Sequence, residues 1–311
     1  MTDLVVRKIA WDFDSTVRFM WQPANPGFGL FCNAFTFIAV PFERYIVAAV
    51  RKASDRLSQD PEVASEADAF LRQEAQHAAA HRKHMIALVQ RYPELEQCYD
   101  DACRAYDELI EQEPIEFHAA YIANLEATFT PLFKVILDYR DSLFGGGDQR
   151  VASLMMWHFV EEIEHRSSGL ILCRHINPDP WYRVKHIRRT FSHVGQLSES
   201  IAKTFDRVIP LEDREVSAEA LMCNLLFDDF KYRVPGGRRR RARLSGPLTL
   251  FHGVPTSQLV KMVWRLALSQ TPHHDPADQL LPDWADTWMR EYDRGVDMTT
   301  FAGTTGRQAE G

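Results

Sequence analysis

Apolar and polar residues along this chain follow a helical period almost throughout. A first apolar helix is predicted after Gly29, through FCNAFTFIAVPFERYIVAAVRKASDRL, with a kink or interruption at Pro41. Asp60-Pro61 then gives an N-cap followed by proline at the first helical position, and the helix it opens runs to about Tyr92. A shorter helix follows near Leu95 to Gln112. Pro114 opens a third long helix that reaches the Gly145-Gly146-Gly147 run, and Asp148 caps a fourth that continues to Ile176, before Asn177-Pro178. Weaker helical segments follow at about 183–207, 215–232, 255–268 and 281–292, and the polar tail after Gly303 is expected to fray. The pattern predicts an all-α fold in a single domain, 1–311. Residues 29–176 form a four-helix core and 177–311 a helical extension or cap.

Composition narrows the class. The chain has 311 residues, 45% of them hydrophobic, and 36 Lys+Arg against 43 Asp+Glu give a net charge of −7, which argues against nucleic acid as a partner. The five cysteines form no CxxC pair, as expected of a reduced, cytoplasmic protein. The N-terminus lacks the continuous apolar run of a signal peptide. The uncharged stretch from Phe19 to Phe42 is broken by Pro23, Pro26, Gly27, Gly29 and Pro41. Its helical part is read as about 13 residues, too short for a transmembrane segment. The tract Arg238–Arg241 with Arg243 reads as an exposed basic loop, either solvated or in contact with an anionic partner.

Two Glu-x-x-His motifs carry the candidate chemistry, Glu74-Ala75-Gln76-His77 and Glu162-Ile163-Glu164-His165. On a helix, positions three apart share a face, so each motif presents a carboxylate and an imidazole to one point. Each has a partner glutamate in an apolar stretch of the preceding helix: Glu43 in AVPFERYIVAAV and Glu126 in YIANLEATFTPLF. A carboxylate so placed must be paired, protonated or metal-bound. Chain length tests the pairing. Glu43 and Glu74 lie about 15 and 13 residues from their shared turn, and Glu126 and Glu162 about 18 and 15 from theirs, so each pair meets at nearly one height. A longer crossover joins the two hairpins. This is the ferritin-like layout, with two Glu and two Glu-x-x-His facing inward. His158 falls within the same arc as Glu162 and His165 and adds a third imidazole. Carboxylates and imidazoles without thiolate suit two Fe ions, or Mn, better than zinc.

Several neighbours admit two readings. His81 and His84 continue the face of His77, either as solvated or packing residues or as groups that orient the ligands. Glu161 and Glu164 fall off the ligand face and read as surface groups or orienting partners. His118 reads as a surface or packing residue near the approach to the site, and Tyr121 and Trp157 as core. Phe35, Phe42, Phe129 and Leu154 are expected to face an apolar or aromatic small-molecule substrate.

The stretches PFERYIVAAVR, FLRQEAQHAAAH, NLEATF and WHFVEEIEHRSSG resemble a bacterial family labelled predicted metal-dependent hydrolase, over roughly residues 5 to 180. TPHHDPADQLLPDW looks like a degraded form of that family's C-terminal Pro- and His-containing segment. The ligand spacing, though not the intervening sequence, is also similar to that of di-iron arylamine N-oxygenases, whose fourth helix carries His-x-x-x-Glu-x-x-His. Position by position the resemblance implies a metal set of Glu43, Glu74, His77, Glu126, His158, Glu162 and His165. It implies an oxidoreductase of the monooxygenase kind, with O₂ as co-substrate, which hydroxylates or N-oxygenates a small organic molecule. The two ions would be bridged by Glu74 and Glu162, or by Glu43 and Glu126. No flavin, nicotinamide or cysteine-cluster motif is present, so electrons must come from an external reductase or other donor. Two further readings stay open: a two-metal hydrolase acting on an ester or phosphoester, and a non-enzymatic metal-binding helical protein. A homodimer is among the assemblies open to the chain.

Overall fold

The computed structural model describes residues 4–222 and 250–303. The Arg238–Arg243 tract, the tail after Gly303 and most of the helix expected at 215–232 lie outside the described residues. Those described hold thirteen α-helices and no strand, so the fold is all-α.

Four helices carry the seven candidate ligands or deliver them: α1 (Pro26–Lys52), α3 (Pro61–Arg91), α5 (Ile115–Asp138) and α7 (Gln149–Glu164). The short α2 (Ser54–Leu57) turns the chain between α1 and α3, and α4 (Leu95–Gln112) crosses from the first hairpin to the second. α1 packs along α3, and α5 packs against α7 and α8 (Ser168–Ile176). α6 (Arg140–Phe144) sits in the α5–α7 turn. The extension adds α9 (Pro180–Val208), α10 (Leu211–Arg214), α11 (Ala218–Met222), α12 (Thr256–Ser269) and α13 (Asp283–Asp293), with α9 and α12 laid on α5.

The capping signals act as expected. The Asp60 carboxylate accepts from the amides of Glu62 and Val63, and that of Asp148 accepts from Arg150. Three expectations need correction. α1 starts at Pro26, before Gly29, because Asn25-Pro26 repeats the cap-plus-proline signal: the Asn25 side chain accepts from the Phe28 amide. The helical part of the uncharged stretch is 26–42, longer than the about 13 residues expected, and the 27-residue helix runs through Pro41 without ending. By length and composition it would reach across a bilayer, but 72% of its apolar window is buried inside the protein. The third long helix stops at Tyr139, and the fourth stops at His165 before α8 resumes.

Candidate metal centre

All seven sequence-derived candidates converge. Glu43 comes from α1, Glu74 and His77 from α3, Glu126 from α5, and His158 and Glu162 from α7. His165 is the residue at which α7 ends, its amide bonded to the Glu161 carbonyl. Each is at most 3% exposed. They form two groups, Glu43–His77–His158 and Glu74–Glu126–Glu162–His165, and within each group the ligand atoms lie within 4.8 Å of one another.

Glu162 joins the two. Its Oε1 is 2.8 Å from His158 Nε2 and 3.5 Å from His77 Nδ1, while its Oε2 is 3.0 Å from His165 Nε2. His165 Nε2 also lies 3.2 Å from Glu74 and 3.5 Å from Glu126, and His158 Nε2 lies 3.6 Å from Glu43. Of the two residues in the expected Glu74–Glu162 pair, Glu162 has an oxygen toward each group, whereas Glu74 lies beside His165 within its own group.

Each imidazole has one nitrogen facing the carboxylates and the other held from outside. His77 donates from Nε2 to Glu161 at 2.9 Å, which leaves Nδ1 facing inward. His165 donates from Nδ1 to the Gln73 side-chain carbonyl at 3.0 Å, because the Gln73 amide is already committed to Val5 O and Glu164. His158 Nδ1 meets His81 Nε2 at 2.8 Å, and Thr36 Oγ1 links His81 to His84. Outer partners of this kind fix ring orientation and tautomer in metal sites. Of the two readings open for His81 and Glu161, the structure selects the orienting one.

The charge balance shows what the pocket lacks. Glu43 Oε2, both oxygens of Glu74 and of Glu126, and His77 Nδ1 are buried and make no hydrogen bond. Leaving one such atom unpaired costs about 1–3 kcal/mol, and more for a charged group. Burial and the mutual repulsion of the carboxylates drive Glu43 and Glu74 well above the usual range, and burial and Glu162 raise Glu126 to about 7. Burial works against ionised Glu162 too, but His165 and the hydrogen bonds from His158 and His165 hold it below its ordinary value. His165 is raised in turn: burial opposes its charge, and Glu162, Glu126 and Glu74 together outweigh burial. Burial and the neighbouring His77 lower His158 to about 4. Four carboxylates crowded in a dry pocket with a single raised imidazole are short of positive charge. Two divalent cations fit this donor set, with its unsatisfied atoms aimed inward.

The comparisons agree. The model of a family described as predicted metal-dependent hydrolase matches residues 5–215. The chain belongs to this family. No curated protein and no solved structure matches it. The family's name and the buried donor groups together describe a metal-dependent enzyme, with the reaction left open.

Several contributors gave no signal in the sequence. Arg7, 3% exposed, donates to Glu161 at 3.1 Å and to Glu164 at 2.8 and 2.9 Å, and so fixes the carboxylate that holds His77. Its guanidinium stacks near the rings of Trp288 and Tyr292 on α13. The segment around Arg7 and the extension thus meet behind the candidate ligands. The TPHHDPADQLLPDW stretch does not enter the site: its His274 and Pro276 carbonyls accept from Arg174 and Arg166. His118 is buried and bonded to Tyr45, in a packing role. Leu154, expected to face substrate, is instead fully buried in the core.

Gly169 was visible in the RSSG run, but its reason is tertiary. A Cβ there would lie 2.8 Å from Glu126 Cγ and 3.2 Å from its Cβ. Only glycine lets α8 come this close to the ligand. Gly169→Ala is therefore expected to displace Glu126 and weaken binding at the second donor group by roughly 10- to 100-fold, the range seen when a ligand's support is disturbed. Metal titration of the folded variant checks this, and wild-type affinity would show that Glu126 moves freely.

Proposed function

We propose that the chain is a non-haem di-iron (or Mn/Fe) oxygenase or oxidase built on a ferritin-like bundle. The observation that supports this most is a single carboxylate, Glu162, shared between two buried Glu/His donor groups at the floor of an apolar cavity. Glu43, His77 and His158 would hold one ion, and Glu74, Glu126 and His165 the other. Such a metal pair, when bound, supplies the redox chemistry that activates O₂ with electrons from an external donor. The chain's own residues do the rest. Glu161, His81 and Gln73 keep the imidazoles aimed inward, and Phe35, Phe42, Phe129 and Phe133 keep water from the cavity side. The substrate is a small organic molecule that is hydroxylated or N-oxygenated. In this reading residues 29–176 and 177–311 act as one domain, since α9 supplies a wall of the cavity.

A second reading is hydrolysis of an ester or phosphoester by the same metal pair, which the family description favours. The two separate in one set of measurements. Purified protein is expected to hold about two Fe per chain, the number this ligand layout binds, and its reduced form to consume O₂ with a transient visible absorption. Hydrolysis takes precedence if O₂ uptake is absent while Zn- or Mn-loaded protein cleaves nitrophenyl esters. Protein that takes up no metal, and gains no thermal stability from Fe²⁺, would sink both readings.

A further inference from the structure

One cavity opens onto the donor set. A cavity of about 200 Å³ lies between α1, α5 and α9 and reaches Glu43, His158 and Glu162, but not Glu74, Glu126 or His165. Its walls are Phe31, Phe35, Ile38 and Phe42 from α1, Leu125, Phe129, Leu132 and Phe133 from α5, and Phe191 and Val194 from α9. An enclosed apolar space of about 150 Å³ already takes benzene, so this one has room for more than a single ring.

The polar inventory of the walls is short. Among the described residues, no Lys or Arg lines the cavity, and the only hydroxyls are those of Thr128 and Ser198. Both are already committed. Thr128 donates to Leu125 O at 2.6 Å, and Ser198 to Val194 O at 2.8 Å. A carboxylate or phosphate lodged among these walls would meet no cation and no free donor short of the donor set at the floor. The desolvation cost of a charge would go uncompensated.

We propose that this cavity binds an uncharged, apolar molecule longer than one aromatic ring and presents it to the Glu43–His158 side of the centre. The ligand chemistry follows from the walls alone, whereas its presentation to a metal pair rests on the di-metal reading above.

The test uses the full-length protein and two homologous series, n-alkanols and n-alkanoates from six to twelve carbons, titrated by calorimetry. Alkanol affinity is expected to rise about fourfold per methylene until the cavity is full, the increment that burying a CH₂ gives. In chelator, where no metal can take the carboxylate, alkanoates of equal length should bind at least roughly 100-fold more weakly, since an unpaired charge would be buried. Leu132→Trp from α5 and, independently, Val194→Trp from α9 are expected to remove alkanol binding and leave metal content unchanged. Equal affinity for alkanoates in chelator, no dependence on chain length, or undiminished binding in both folded variants would overturn the proposal. Metal content reads the centre separately. Protein that binds decanol but no metal would retain the cavity and refute the di-metal reading.

Discussion

Stripping metal from the protein is expected to lower its melting temperature by roughly 10 °C at pH 8, and by clearly less at pH 6. The size follows from linkage: free metal at about 1,000 times its dissociation constant contributes about 4 kcal/mol. Two such sites together contribute about 8 kcal/mol, and in a chain of this length each kcal/mol moves the transition by about 1.5 °C. The pH dependence follows from the carboxylates. Glu43, Glu74 and Glu126 have folded-state pKa values raised above their unfolded values, Glu126 to about 7. A raised carboxylate contributes stability at low pH, where it carries its proton, and loses that contribution as pH rises through its folded value. Metal-free protein is thus relieved by protons at pH 6 and left with crowded buried charge at pH 8. Metal-bound protein needs the same carboxylates ionised, and His165 neutral, so metal competes with protons for the site. The raised His165 adds to the same trend, while His158, lowered to about 4, is neutral across the window. Calorimetric scans with and without chelator at the two pH values measure the difference. Equal shifts would mean that the carboxylates are not linked to the metal, and no shift would mean no metal in the core.

The ligands were legible because helical spacing is a local property. Glu74 with His77, and His158 with Glu162, needed only the periodicity of one helix, and the matching heights of Glu43 and Glu126 needed only chain length. His165 was found for a partly wrong reason. The helix expected to carry it ends there, yet one turn past Glu162 it still faces inward. What escaped was whatever depends on the far side of a contact. Arg7 lies 154 residues from Glu161, and nothing local marks it as that carboxylate's partner. Gly169 looks like a flexible residue until α8 is laid against Glu126. Leu154, one turn before His158, shares its face but sits at a level filled by core rather than by the cavity. The start of α1 was misjudged because Gly27 and Gly29 were read as breakers. Packing overrode their propensity: a Cβ on Gly29 would lie 3.2 Å from that of Gln22.

Two substitutions on α7 separate a bridging ligand from a terminal one. His158→Ala removes one donor from the Glu43 group and leaves Glu74, Glu126, Glu162 and His165 in place. It should therefore keep about one of the two ions this layout holds. Glu162→Ala takes an oxygen from each group at once, since Oε1 faces His158 and Oε2 faces His165. Its metal content should fall well below one ion per chain. The metal-free variant should also suffer, because His165 loses the largest of the carboxylate contributions that together offset the burial of its charge. Breaking a buried pair by removing one partner costs about 3–5 kcal/mol, or roughly 5–8 °C in a chain of this size. Elemental analysis of both folded variants, with melting curves recorded in chelator, reads the two effects independently. If Glu162→Ala retains two ions, or loses only the one that His158→Ala loses, the carboxylate belongs to a single site and the shared-bridge geometry plays no part in metal binding.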